Sequence, residues 1–413
     1  MFQVELGAEG MEDTPGVNQM AVAGVLKALN GAACLEEVAA LDSLVTVVDC
    51  SAFACNLTTT ADLLEQFGKN QAGEGEVVED EMAELSVASL LIQQIEFANI
   101  IVLNKCDLVS ADTAANVEAA LRALNAKADV IKTTRARVPV ELVLRTGKFD
   151  MDDTLNAAGW VTKIRGNELT NSKQYGISSF VYQERTPFHP VRLHTFFEDN
   201  FMCDYHDNGD DDDGGTESAA AETGEAPDDV HTMRTPLEVR QEECDAKMAA
   251  QRAKYGTILR SKGYVWLAGR DEVMGEVGQA GAVMQLSCGR PWMGLMPEEL
   301  WPQEGSDERD LIERDMAGPV LLDRRQELVF IGQNLDKSAI TAALNGCLVT
   351  RAEAARGREA AGGGGGESLR KDEWKLGLNA IVGQDEDPFP TWYGIDAYRT
   401  DFPGCKRRRF AFV

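Results

Sequence analysis

An α/β domain built on a parallel sheet, followed by a smaller α+β domain, is the fold class this sequence predicts. Three runs lead to it. Residues 44–49, Leu-Val-Thr-Val-Val-Asp, form a short, mostly β-branched apolar segment, the pattern of a strand buried on both faces of a parallel sheet. Residues 85–98 place Ala88, Leu91, Ile95 and Ala98 at three- and four-residue steps, which predicts a helix with one apolar stripe. That helix runs straight into Ile100–Leu103, a second buried strand. Strand, helix and strand in this order imply a right-handed crossover, with ligand sites beyond the carboxyl ends of the strands. A chain of 413 residues has room for two such units.

The segment 70–84 carries six acids and two glycines, so an exposed insertion is expected between the first strand and the helix. After about residue 170 the texture changes. Ile177–Tyr182, Tyr264–Leu267, Ala282–Leu286 and Leu328–Ile331 are short strand-like runs, with turn-rich stretches rather than regular helices expected between them. Asp336 then caps a helix in which Ile340, Ala343, Leu344 and Cys347 share one face. Between Asp204 and Asp229 stand eleven acids and no Lys or Arg, a composition too charged to bury a core, and a disordered insertion is expected there. Gly362–Gly366 reads as a flexible linker before a tail that ends in the basic run Lys406–Arg409.

The motif that carries chemistry is Asn104-Lys105-Cys106-Asp107, placed where the second buried strand runs out. A carboxylate at that point can accept from both the ring N–H and the exocyclic amine of guanine, a donor pair that adenine does not present. The Lys stem can lie along the purine face, and the Asn amide can tie neighbouring loops together. A four-residue N-K-x-D string also arises by chance at polar strand ends; the apolar strand in front of it favours guanine binding. Asp49, at the end of the first strand, either supports the nucleotide side or simply closes a strand.

At this point a resemblance emerges. The phrases Leu41–Asp49, Gln94–Asn99 and Ile101–Val109 resemble successive landmarks of the CobW GTPase domain, and Arg145–Asp150 resembles its exit. Pro187–Pro190, Arg260–Trp266, Leu328–Gly332, Cys347–Thr350 and Asp387–Pro390 resemble the C-terminal part of that family, in order. The resemblance implies a GTP-binding protein coupled to delivery of zinc or a related divalent ion to a client metalloprotein. Asn104, Lys105 and Asp107 are then guanine readers, and Mg²⁺ and Zn²⁺ are implied by the family only. It divides the chain into a partial GTPase domain at 1–165, a C-terminal domain at 174–350 with the acidic insertion at 204–230, and a Gly-rich linker and tail at 351–413.

The phosphate side is expected to be incomplete. A phosphate-binding loop needs G-x-x-x-x-G-K-[ST], so that backbone N–H groups cradle the phosphates, the Lys neutralises them and the hydroxyl holds Mg²⁺. Gly68-Lys69 and Gly147-Lys148 lack both the upstream Gly and the following Ser or Thr. The family's C-x-C-C zinc motif is absent, and Asp13-Thr14-Pro15-Gly16 reads better as a Pro-Gly turn than as a phosphate-sensing string. The expectation is an incomplete P-loop NTPase-type sheet, with no catalytic residue and no metal ligand assigned. A non-hydrolytic client- or metal-binding adaptor, or a truncated gene-model fragment, is the alternative.

His189, His194, Cys203 and His206 are spaced H-x₄-H and C-x₂-H, but the family phrase already accounts for His189, and a structural zinc tetrad is not favoured. Cys50, Cys55 and Cys106 read as core thiols or a variable motif position, and Arg260 and Lys262 as solvated cations at a strand start. A net charge of −28 argues against nucleic acid or an anionic membrane as partner. There is no apolar run long enough to span a bilayer. Nine cysteines without paired spacing suit an intracellular, cytoplasmic setting and leave an organelle such as a plastid open.

Overall fold

The computed structural model describes residues 40–59, 86–151, 176–204, 236–317, 321–354, 387–390 and 392. The acidic segments 70–84 and 205–229, the Asp13–Gly16 string and the Gly362–Gly366 tract lie outside the described residues.

The first unit is a three-stranded parallel sheet in the order β1-β2-β3: β1 Val45–Asp49, β2 Ile100–Asn104 and β3 Asp129–Lys132. Its helices are α1 Phe53–Thr58, α2 Val87–Phe97 and α3 Ala111–Leu124. Local chemistry marks each boundary. Ser86 Oγ accepts from Ser89 N at 3.2 Å to start α2, and Ser110 Oγ accepts from Thr113 N at 3.1 Å to start α3. Asn125 Nδ2 donates to the carbonyls of Ile95, Glu96 and Ala98, closing the open end of α2.

β2 is buried along Ile100–Leu103, as its apolar run predicts. β1 departs from that expectation: Thr46 and Val48 are buried, while Val45 is 42% and Val47 60% exposed. The apolar run fixes a strand but not a cover. α2 and α3 both pack on the face carrying Val48, Ile101 and Leu103, and among the described residues the opposite face at β1 is open. Within α2, Ala88 and Ile95 are buried as their spacing suggests, and Ile92 replaces half-buried Leu91 at the centre of the stripe.

The second unit is a six-stranded sheet in the order β4-β9-β6-β7-β8-β5. The strands are β4 Ile177–Glu184, β5 Met202–Asp204, β6 Thr257–Val265, β7 Val273–Ala280, β8 Val283–Pro291 and β9 Gln326–Gln333. All pairings are antiparallel except β5 with β8. Helices α4 Pro190–Asn200, α5 Pro236–Tyr255, α6 Asp307–Asp315 and α7 Lys337–Cys347 accompany it. The expectation of turn-rich connections is corrected here, because the twenty-residue α5 enters β6 directly. Its buried residues Cys244, Met248, Gln251 and Tyr255 recur at steps of four, three and four, a helical stripe narrow and polar enough to be overlooked among the surrounding charges. α7 does carry the expected cap, Asp336 Oδ1 accepting from Ala339 N at 2.9 Å.

The units stack in layers. Ile177, Leu259 and Ala280 of the large sheet join the core formed by β1, β2 and α1 to α3, so α2 and α3 lie between the two sheets. The other face of the large sheet packs Phe180, Tyr182, Val277 and Phe330 against α4, α5 and α7. Arg260 is not a solvated cation, and Lys262 is half-buried. Arg260 is buried across the junction, with Nε 2.9 Å and Nη2 3.3 Å from the Glu96 carboxylate. Lys262 sits beside it, and burial first and the Arg260 charge second lower its pKa.

Candidate functional site

The carboxyl ends of β1 and β2 are in register, Asp49 opposite Asn104, and Cys50 N donates to Asn104 O at 2.9 Å. The backbone then turns sharply at Lys105, which takes a left-handed conformation (φ 59°) that costs a non-glycine residue roughly 1–2 kcal/mol. A 3₁₀ turn, Cys106–Leu108, follows and delivers the chain to α3. Strained backbone of this kind survives where the surroundings over-determine it. Cys106 N donates to Thr133 O at 3.3 Å, and Cys106 Sγ to Leu103 O at 3.2 Å.

The structure brings the four sequence-predicted residues to one edge and gives each a different setting. Asn104 Oδ1 accepts from Ala136 N at 2.8 Å, tying β2 to the loop after β3. Lys105 Nζ donates to Asp49 Oδ2 at 2.7 Å. Asp49 Oδ1 accepts from Ser51 N, Ser51 Oγ and Ala52 N at 2.9, 2.7 and 3.3 Å. Partial burial pushes the Asp49 pKa up, but the hydrogen bonds from Lys105 and Ser51 outweigh it and hold it at about 2. Asp107 is exposed, on the 3₁₀ turn, and its carboxylate meets no hydrogen-bonding or charged partner among the described residues. One edge therefore holds a committed amide, a committed ammonium and an uncommitted carboxylate.

Sequence reasoning missed the loop 133–137. Arg135 and Ala136 both have positive φ (55° and 52°), and Thr133 Oγ1 donates to Arg137 O at 2.7 Å. The string Thr-Thr-Arg-Ala-Arg contains no glycine or proline to signal such a turn. It also missed Asp42, whose carboxylate takes the N–H groups of Thr146 and Gly147 at 2.9 and 2.7 Å. Lys148, in the second of the two Gly-Lys pairs, is paired with Asp129.

Among the described residues the remaining thiols and imidazoles form no cluster larger than the Cys50–Cys106 pair. Cys50 is buried against Cys106, and burial first and the neighbouring thiol second raise its pKa to about 11, while Cys55 is exposed. Cys203 lies on β5, and His194 packs against Phe389 edge to face, 5.3 Å between centroids. His206 lies outside the described residues. Among the described residues there is no group of three or more His, Cys, Asp or Glu placed to hold a metal ion, and no helix is long and apolar enough to cross a membrane.

Comparison with known proteins covers both units. Residues 17–132 match the CobW/HypB/UreG nucleotide-binding domain, and residues 230–348 match the cobalamin synthesis protein cobW C-terminal domain. Zinc-regulated GTPase metalloprotein activator 1 of Dictyostelium discoideum is 32% identical over 330 residues, which is 79% of this chain and 55% of the relative. The chain thus spans about half the length of that curated relative. Among solved structures, the Zn(II)-bound YjiA GTPase from E. coli aligns at 16% identity and TM-score 0.25, covering 75% of this chain and 62% of that one. A Zn(II)-bound triple mutant of YjiA GTPase aligns with the same coverage at TM-score 0.24. With a nucleotide-binding domain and a C-terminal domain of one family in the family's order, this chain belongs to the CobW family.

Proposed function

We propose that this chain is a CobW-type GTP-binding protein acting in zinc delivery to a client metalloprotein, with Asn104, Lys105 and Asp107 reading the guanine base and Asp49 supporting them. The observation that carries this reading is the exposed Asp107 carboxylate, without a partner among the described residues, beyond the end of a buried parallel strand and flanked by side chains already fixed to protein groups. Guanine offers its ring N–H and its amine on one edge, and one carboxylate can accept both. The name of the Dictyostelium relative supports the zinc and metalloprotein part. The domain division proposed is a partial GTPase unit at 1–165, the C-terminal domain at 174–350 and a linker and tail at 351–413.

The residues present fit the base and do not fit the phosphates or Mg²⁺. No G-x-x-x-x-G-K-[ST] string occurs in the 413 residues. Of the Gly-Lys pairs, Gly147 gives its N–H to Asp42 and Lys148 its ammonium to Asp129. No hydrolytic step is therefore derived from this chain's residues. The same observation favours a second reading, a non-hydrolytic adaptor whose C-terminal domain docks the client. A calorimetric titration of the full chain with GTP and ATP, alongside a phosphate-release assay, separates them. Guanine-selective binding with turnover supports the GTPase, selective binding without turnover a nucleotide-sensing adaptor, and no binding at millimolar GTP overturns the guanine reading.

A further inference from the structure

One short helix, α1, runs from the candidate site to the C-terminal unit. At one end of α1 stands Asp49, whose Oδ2 takes the Lys105 ammonium at 2.7 Å while Oδ1 is held by Ser51 and Ala52. At the other end, Leu57 O accepts from Ala282 N at 3.1 Å, in the turn between β7 and β8. Thr58 O accepts from Gln241 Nε2 at 3.0 Å and from Cys244 Sγ at 3.4 Å, both on α5. Gly281 has φ 56°, and a Cβ there would stand 1.9 Å from Leu57 O, so the hairpin reaches α1 only because this residue has no side chain. Phe53 and Leu57 share one core with Val48 and Cys50 on the nucleotide side and with Leu259 and Ala280 on the other. The helix is thus fastened at both ends and along its buried face.

The Lys105–Asp49 pair has the Lys side chain 50% and the Asp side chain 27% exposed. A pair this open adds little to stability, because water screens it and two side chains lose rotamer freedom. What it does is orient. A lysine on a four-carbon stem has many rotamers, and laying it along a purine restricts them at the moment of binding; a carboxylate already fixed by three donors meets that cost beforehand.

We propose that Asp49 is a positioning residue for guanine recognition, and that α1 makes its hold on Lys105 depend on the docking of the β7–β8 hairpin and α5. This rests on the reading of Asn104, Lys105 and Asp107 as guanine readers, and it adds a route by which the C-terminal domain and the nucleotide sense each other.

The test uses the full chain with GDP as probe and ADP as comparator. Asp49→Asn keeps the acceptor for Ser51 and Ala52 and removes the charge; it weakens GDP by roughly fivefold, on the scale of one immobilised side chain, with the melting temperature unchanged. Lys105→Met tests the same pair from its exposed side. In that background Asp49→Asn adds no further loss. Amide hydrogen exchange supplies a second readout, since GDP slows the Ala282 amide in the wild type and does not in Asp49→Asn. Two results overturn the proposal: an Asp49→Asn loss that is absent or adds in full to that of Lys105→Met, or an Ala282 amide indifferent to GDP. If the wild type prefers GDP to ADP and Asp49→Asn binds it as tightly, only the positioning role falls. If the wild type shows no such preference, the guanine reading falls and this proposal with it.

Discussion

Replacing Glu96 by Ala cuts a buried ion pair between the two units. Arg260 is 7% exposed, and its guanidinium is held by the Glu96 carboxylate at 2.9 and 3.3 Å and by Gln279 O at 3.3 Å. Without Glu96 it keeps one neutral acceptor and remains beside Lys262, whose protonated form burial and Arg260 already disfavour. Stripping one partner from a buried pair costs about 3–5 kcal/mol. The Glu96 side chain is 15% exposed, so water reaches part of the defect and the low end, about 3 kcal/mol, applies. Urea unfolding is the assay, followed by circular dichroism for both units and by fluorescence for the buried Trp266 and Trp292 of the C-terminal unit. With a slope of about 3 kcal/mol per molar, the midpoint falls by about 1 M. The double variant Glu96→Met with Arg260→Met recovers most of the loss, because two apolar side chains then replace two charges. A Glu96→Ala loss below about 0.5 kcal/mol, or a double variant as unstable as the single one, refutes the claim that this pair fastens the junction.

Three further outcomes follow from the same contacts. Lys262→Met stabilises the protein at neutral pH in thermal melts; with the folded pKa of Lys262 below its usual 10.5, the native state binds fewer protons than the unfolded one, so the gain shrinks as pH rises towards 10.5. Gly281→Ala lowers the melting temperature, at a cost of about 1–3 kcal/mol for the left-handed backbone before the clash with Leu57 O is added, and an unchanged melt contradicts the close approach. Glu353, held at about 2 chiefly by its hydrogen bonds from Arg192, contributes stability that is present above the ordinary 4.5 and lost as pH falls towards 2, so Glu353→Gln flattens the acid side of a stability-versus-pH curve.

The parallel sheet was legible because β2 is an uninterrupted apolar run followed at once by polar residues, a pattern that burial on both faces imposes. β1 carries the same pattern and yet exposes Val45 and Val47, since composition records that a strand is apolar and not which face receives a helix. α5 was missed for another reason: Cys244, Met248, Gln251 and Tyr255 do follow helical spacing, but a thiol, an amide and a phenol among four buried positions leave the stripe too polar to stand out from the charges around it. At the site, Asn104, Lys105 and Asp107 could be found from their order and from the strand in front of them. Ala136 could not, because it contributes a backbone N–H from a loop 32 residues away, and no residue type encodes that. Arg260 reads as a solvated cation until the fold sets it against Glu96, 164 residues away.

The central claim is that the Asp107 carboxylate selects guanine, and exchanging it for an amide tests this most directly. Asp107→Asn can donate a hydrogen bond to the carbonyl that xanthine carries in place of the guanine amine. Calorimetric titration of wild type and Asp107→Asn with GDP and xanthosine diphosphate is the measurement. The account predicts that the wild type prefers GDP and that Asp107→Asn reverses the preference by at least about tenfold, the worth of one well-placed pair of hydrogen bonds. Equal affinity of both proteins for both nucleotides contradicts it.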